Sequence, residues 1–161
     1  MTGTRSGDID PSILPFVMER EGKNVGEILD DLSRSSGLLG LSEFSSDMRD
    51  INAKCDEGDE RALVARAIYV RKVVDYIAQY YVLLGGADVI AFTAGIGENS
   101  IPVRRLICEA LAPLGVKIDL DANNCMGEKV KISTPDSKIE VWVIPTQEGL
   151  MIARDTYELS K

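Results

Sequence analysis

The sequence predicts an α/β fold, a mixed sheet flanked by helices. Residues 88–93 (Asp-Val-Ile-Ala-Phe-Thr) and 139–144 (Ile-Glu-Val-Trp-Val-Ile) are short runs rich in β-branched and aromatic residues. Each runs into a turn and then into a helical segment, as in strand–turn–helix units. Upstream, Leu63, Ala67, Val70, Val74, Ile77, Tyr81 and Leu84 recur at steps of four and three, the stripe of one long core helix. With 161 residues, 45% of them hydrophobic and 27% charged, the chain can bury one core, or form one domain and part of another.

The elements follow in order. Residues 2–11 (Thr-Gly-Thr-Arg-Ser-Gly-Asp-Ile-Asp-Pro) have no strand or helix period and read as a loop. Arg5 projects from it, and its planar fork suits phosphate or carboxylate; the plainer reading is a disordered terminus. A loop with no element before it suggests that the chain begins mid-domain. Ser12 is placed to cap a helix with Pro15 in its first turn and Gly22 at its end. Asn24 and Glu27 form a capping-box pattern for a second helix through Ile28, Leu29 and Leu32. Gly37 and Gly40 bracket Leu38 and Leu39 in a tight apolar turn.

Ser46 or Asp47 then opens a helix carrying Met48 and Arg49. An acid and an arginine two residues apart can serve a polar ligand edge such as ribose hydroxyls, or can be simply a cap and a solvated cation. An acidic loop, 56–59, leads into the long helix, which Gly85-Gly86 ends. The strand at 88–93 reads as buried on both faces, and Pro102 opens a helix through Val103, Leu106, Ile107, Ala110 and Leu111. Residues 116–118 read as a short strand, 121–124 as a polar turn, 129–132 as an edge strand and 135–137 as a turn. The second strand ends in the turn 145–149, before a helix through Leu150, Met151 and Ile152. Glu148 is thus an acid near the C-terminal end of a strand, where open α/β sheets usually bind ligands.

Between the first strand and its helix lies Thr93-Ala94-Gly95-Ile96-Gly97-Glu98-Asn99-Ser100. Such a junction aims backbone N–H groups and a helix dipole at one spot, suiting a phosphate or nucleotide edge; glycines that only permit positive φ are the plainer reading. No lysine is present for a Walker loop. A dinucleotide fingerprint requires a third glycine where Ser100 stands, with an acid about 20 residues on, a place Asp119 fills. A Rossmann-type site with Asp119 is therefore an alternative.

Charge and composition narrow the chemistry. A net charge of −8 argues against nucleic acid or an anionic membrane as the main partner. No apolar run is long enough to span a bilayer, and no signal-peptide pattern opens the chain. Cys55, Cys108 and Cys125 are widely spaced, without a Cys-x-x-Cys, and read as reduced cytosolic thiols rather than metal ligands. The chain has no histidine, which leaves Arg, Asp, Glu and backbone groups as its chemical tools.

Five blocks resemble the acetate kinase family, in that family's order: residues 3–11 (GTRSGDIDP), 36–42 (SGLLGLS), 45–50 (SSDMRD), 92–100 (FTAGIGENS) and 144–146 (IPT). The resemblance spans essentially the whole chain. It implies the actin, sugar kinase and Hsp70-like fold, with ribonuclease-H-like domains closing over ATP, and this chain incomplete relative to the two-domain enzyme. It implies transfer of the γ-phosphoryl of ATP to acetate, reversibly, giving acetyl phosphate and ADP. By position, Arg5 resembles the arginine that stabilises the transferring phosphoryl group. Asp47, Met48 and Arg49 resemble adenosine-side contacts, and Gly95, Ile96, Gly97, Glu98 and Asn99 the loop around adenine and phosphates. Glu148 resembles the carboxylate associated with Mg²⁺; where the family carries a second acid, this chain has Gly149.

The family's first phosphate loop, carboxylate pocket and catalytic histidine precede the matching region. The resemblance thus makes residues 1–146 a nucleotide-side domain and 147–161 a terminal helix packing on the other domain. It further implies a cytoplasmic homodimer, with adenine nucleotide and a short-chain carboxylate as ligands. Propionate kinase and a catalytically silent nucleotide-binding module are the alternatives. The chain by itself is expected to leave Arg5 without support, to bind Mg-ADP weakly and to form no acyl phosphate.

Overall fold

The computed structural model describes residues 1–161, which form two compact units, Met1–Gly85 and Gly86–Lys161. The sequence reading contains no boundary at this point.

The first unit is helical: α1 (Ile13–Glu21), α2 (Val25–Arg34), α3 (Gly37–Ser42), α4 (Met48–Asp56) and α5 (Glu60–Leu83). Ser12 does not cap α1: its backbone is already helical and its side chain makes no cap bond. Asp10 instead accepts from the Ser12 N–H at 2.9 Å. Left-handed Gly22 ends this helix, and no α1 residue is buried. The capping box at α2 forms as expected, with Asn24 accepting from Gly26 and Glu27 while Glu27 accepts from the Asn24 N–H. The expected apolar turn at 37–40 is instead part of α3, with Leu38 fully buried.

Asp59 caps α5 through the Ala62 N–H at 2.8 Å. The buried side of its first half is Ala62, Ala65 and Val70; the predicted Leu63 and Ala67 are exposed. The two alanines on the buried side let neighbouring backbones approach closely, where Leu63 would hold them apart. Met48, Ile51 and Cys55 of α4 and Leu38 of α3 supply the unit's other buried apolar side chains with Ile28.

The second unit holds a three-stranded mixed sheet in the order β1 (Val89–Phe92), β3 (Glu140–Val143), β2 (Val130–Lys131). The two apolar runs are neighbours: β1 and β3 are parallel, with Val89 opposite Glu140 and Phe92 opposite Val143. The antiparallel β2 lies at the edge, where its short run places it. Residues 116–118 make only a bridge, Ile118 to Ser133, rather than a strand. After β1 come α6 (Ala94–Asn99), α7 (Ile101–Ala110) and one tight helical turn at Ala112–Leu114; α8 (Glu148–Leu159) closes the chain.

The unit's core is Phe92, Val103, Ile107, Cys108, Leu111, Val116, Ile132, Ile139, Val141 and Val143. The reading of β1 as buried on both faces needs correction. Val89 and Ala91 are exposed and Phe92 is buried, because β1 is an edge strand with one covered face. No α8 residue is buried. No helix in either unit is long and apolar enough to cross a membrane.

Candidate functional site

Parallel pairing gives β1 and β3 a common carboxyl edge. The Ile144 N–H donates to the Phe92 carbonyl at 2.9 Å, so both chains leave the sheet side by side. Beyond β1 the backbone is extended at Thr93 and left-handed at Ala94, with φ 58°, and then enters α6. The expected glycine turn is therefore itself helical, and its positive φ falls on Ala94 rather than on either glycine. A left-handed non-glycine residue is uncommon and costs on the order of 1 kcal/mol or more.

The two glycines have different surroundings. A Cβ on Gly97 would meet the Phe92 carbonyl carbon at 3.4 Å, an ordinary van der Waals contact, so α6 lies against the end of β1 without requiring a glycine there. Gly95 has no atom within 4 Å of that position and is exposed, leaving its backbone open to a ligand. Asn99 donates its amide N–H to the Gly95 carbonyl at 2.9 Å and holds the turn together. Ile96 is half-buried beside them.

Beyond β3, the turn through Pro145, Thr146 and Gln147 leads to Glu148 at the start of α8. One carboxylate oxygen of Glu98 accepts from both the Thr146 N–H, at 2.7 Å, and the Thr146 hydroxyl, at 3.0 Å. The Thr146 N–H is the chief cause that holds the Glu98 carboxyl below the usual range. Glu98 thereby ties the two strand-end turns together. Glu148 is exposed.

Sequence reasoning missed the group behind this edge. Arg104 of α7 is fully buried without a carboxylate partner. Its Nη1 donates to the carbonyls of Gly97 and Glu98, at 3.0 and 2.8 Å. Nη2 donates to the carbonyls of Asn123 and Cys125, at 2.8 and 2.7 Å, and Nε to the Asn123 side chain at 2.8 Å. Asn123 in turn donates to the Ile101 carbonyl. Burial lowers the Arg104 pKa, and also pushes the nearby Cys108 thiol up to about 12. A signal existed in the sequence: Arg104 stands three, four and seven residues before Ile107, Cys108 and Leu111, on the helix's apolar face.

Arg5, Asp47, Met48 and Arg49 lie in the first unit. Asp47 caps α4, accepting from the Arg49 N–H at 2.8 Å. The Arg49 side chain folds back onto the same carboxylate, Nη2 to Oδ2 at 2.5 Å, although it is almost fully exposed. Hydrogen bonding from the Arg49 side chain, then from its N–H, lowers the Asp47 pKa to about 2. Met48 is buried, 3% exposed, so only its backbone is available to a ligand.

Arg5 is exposed, yet its loop is held, against the expectation of an unsupported terminus. The Thr2, Gly3 and Thr4 carbonyls accept from the Leu38, Leu39 and Ser36 N–H groups, and the Ser6 N–H donates to Leu32. On the other flank Asp8 accepts from the Tyr76 hydroxyl at 2.6 Å and pairs with Lys72.

No three His, Cys, Asp or Glu side chains cluster closely enough to hold a metal alone. Mg²⁺ seldom needs such a cage. It is commonly held by one or two carboxylates with waters and substrate phosphates, and the open carboxylate of Glu148 fits that role. The Rossmann alternative is corrected: Asp119 caps its own turn, accepting from the Asp121 and Ala122 N–H groups at 3.0 Å each.

Comparison with known proteins adds the following. The sequence model of the acetokinase family matches residues 1–154. Acetate kinase of Acholeplasma laidlawii is 50% identical over 158 residues, covering 98% of this chain and 40% of that protein. Acetate kinase of Fervidobacterium nodosum is 54% identical over 159 residues, covering 98% and 39%. Among solved structures, Porphyromonas gingivalis acetate kinase superposes with a TM-score of 0.92 at 41% identity, covering all of this chain and 41% of that one. A propionate kinase from Francisella tularensis gives 0.87 at 38% identity, covering 94% and 38%. The chain thus spans about two-fifths of the length of the curated relatives it matches.

Proposed function

The chain belongs to the acetokinase family, and from that membership we propose that it forms the nucleotide-side part of an acetate kinase. The reaction is reversible transfer of the γ-phosphoryl of ATP to acetate, giving acetyl phosphate and ADP. One observation carries the reading. The parallel strands β1 and β3 deliver an open glycine backbone and an exposed carboxylate, Gly95 and Glu148, to one edge of one sheet, with their turns bridged by Glu98.

The residues take these roles. The turn from Gly95 to Asn99 borders the nucleotide. Glu148 holds Mg²⁺ directly or through a water, and the ion when bound offsets charge on the phosphates. Asp47, Met48 and Arg49 serve the adenosine side; with Met48 buried, Asp47 and Arg49 present the polar edge. Arg5, projecting from its braced loop, stabilises the transferring phosphoryl group. The homodimer, the cytoplasmic setting, the short-chain carboxylate partner and the division at residue 146 belong to the same proposal.

A second reading, a nucleotide-binding module without turnover of its own, suits the 161 residues taken alone. They contain no histidine for the family's catalytic position.

Calorimetric titration tests the site. Mg-ADP is expected to bind and NAD not to bind. Glu148→Gln is expected to weaken Mg-ADP about tenfold while changing metal-free ADP little. Binding of NAD in preference to Mg-ADP would sink the reading, and equal losses with and without metal would make Glu148 a structural residue.

A further inference from the structure

Glu98 lies within the turn proposed to border the nucleotide, yet its carboxylate faces a different partner. One of its oxygens takes both donors of Thr146, 48 positions away in sequence. That arrangement is particular to this turn. Pro145 has no N–H, so the N–H of Thr146 is the first that the chain offers after Ile144. Gln147, at the head of α8, makes no side-chain cap bond. Glu98 therefore supplies the side-chain hydrogen bonds that fix the 145–147 turn, two residues before Glu148.

The other end of Glu98 is gripped as well. Its carbonyl accepts from Nη1 of buried Arg104 at 2.8 Å, and the adjacent Gly97 carbonyl accepts from the same nitrogen at 3.0 Å. A single residue thus connects a rigid, buried brace, the open turn after β1 and the turn carrying the candidate metal carboxylate.

We propose that Glu98 is a positioning residue, a latch that sets Glu148 at a fixed place relative to the Gly95–Asn99 turn, and that its carboxylate is no ligand of the nucleotide. The inference rests on the reading of this edge as a Mg-nucleotide site. A latch acts through hydrogen-bond acceptance rather than through charge. The carbonyl of a glutamine can accept the same two bonds, and an alanine can accept neither.

The test compares wild type, Glu98→Gln, Glu98→Ala and Thr146→Val for affinity toward Mg-ADP and toward ADP in chelator, with thermal melting to confirm folding. Glu98→Gln is expected to stay within about threefold of wild type for both ligands. Glu98→Ala should lose about tenfold for Mg-ADP and less than about threefold for metal-free ADP. Thr146→Val keeps the backbone donor and should fall between them. Hydrogen exchange of the Thr146 amide should rise in Glu98→Ala and stay slow in Glu98→Gln.

Three results would overturn the proposal. Glu98→Gln as damaging as Glu98→Ala would mean that the charge acts directly. Equal loss for both ligands in Glu98→Ala would mean that the side chain supports the turn as a whole or contacts the nucleotide, and does not act through Glu148. An unchanged Thr146 amide in Glu98→Ala would remove the latch itself. Wild-type protein that bound neither ligand would overturn the nucleotide site and the latch's purpose together, whereas wild-type binding with any of the three results overturns the latch alone.

Discussion

Asp47 performs two tasks with one carboxylate, capping α4 and pairing with Arg49. Its pKa, lowered from 3.8 to about 2, fixes the sign of its pH dependence. A depressed carboxyl contributes stability above its unfolded value, and that contribution is lost as pH falls through the folded one. The Arg49 amide resonance should therefore titrate with a midpoint near 2 and lose the transition in Asp47→Asn; a midpoint near 3.8 would mean that Arg49 does not hold the carboxylate. At this scale the sequence was legible where a residue acts on its near neighbours. The Asp47 cap and the Asn24–Glu27 box follow from spacing, because both ends of each bond lie within three residues. Arg104 and Glu98 were not legible as braces: their partners at 123–125 and 146 come together only once the sheet and α7 have formed.

At the scale of elements, the N-terminal strip and α3 act as one piece. Gly37 starts α3 with φ 63°, and a Cβ there would sit 2.3 Å from the Thr2 carbonyl oxygen and 2.9 Å from that of Arg5. Both the conformation and the space exclude a side chain. Gly37→Ala should cost on the order of 2 kcal/mol or more in chemical denaturation. Gly22→Ala, at an uncrowded left-handed cap with φ 66°, should cost about 1 kcal/mol and serves as the control. Similar losses at the two sites would show that the strip at residues 2–5 does not press on α3. Periodicity and composition revealed that α5, β1 and β3 exist. It could not reveal which side of α5 packs. Leu63 and Ala65 both suit a core by composition, and close approach between helices selects the smaller.

At the scale of the molecule, the two units meet in sequence at Gly85 and Gly86, both left-handed with no crowding at either Cβ position. The preceding Val82, Leu83 and Leu84 are at least 74% exposed. Brief digestion with a protease that cuts after large apolar residues should cleave at 83–84 before it cleaves within 89–92 or 140–143; the reverse order would contradict the described sheet. The charge of the chain also has a local exception. The acidic total of −8 would by itself repel a polyphosphate. Arg104 lies directly beneath the Gly97–Glu98 peptide groups with its guanidinium satisfied by carbonyl dipoles, which leave its full unit charge in place. Enclosed by protein, that charge is poorly screened by dissolved ions, whereas surface lysines lose most of their reach within a Debye length of about 8 Å at physiological salt. It therefore offsets, at any salt, part of the field of the Glu98 and Glu148 carboxylates at the same edge.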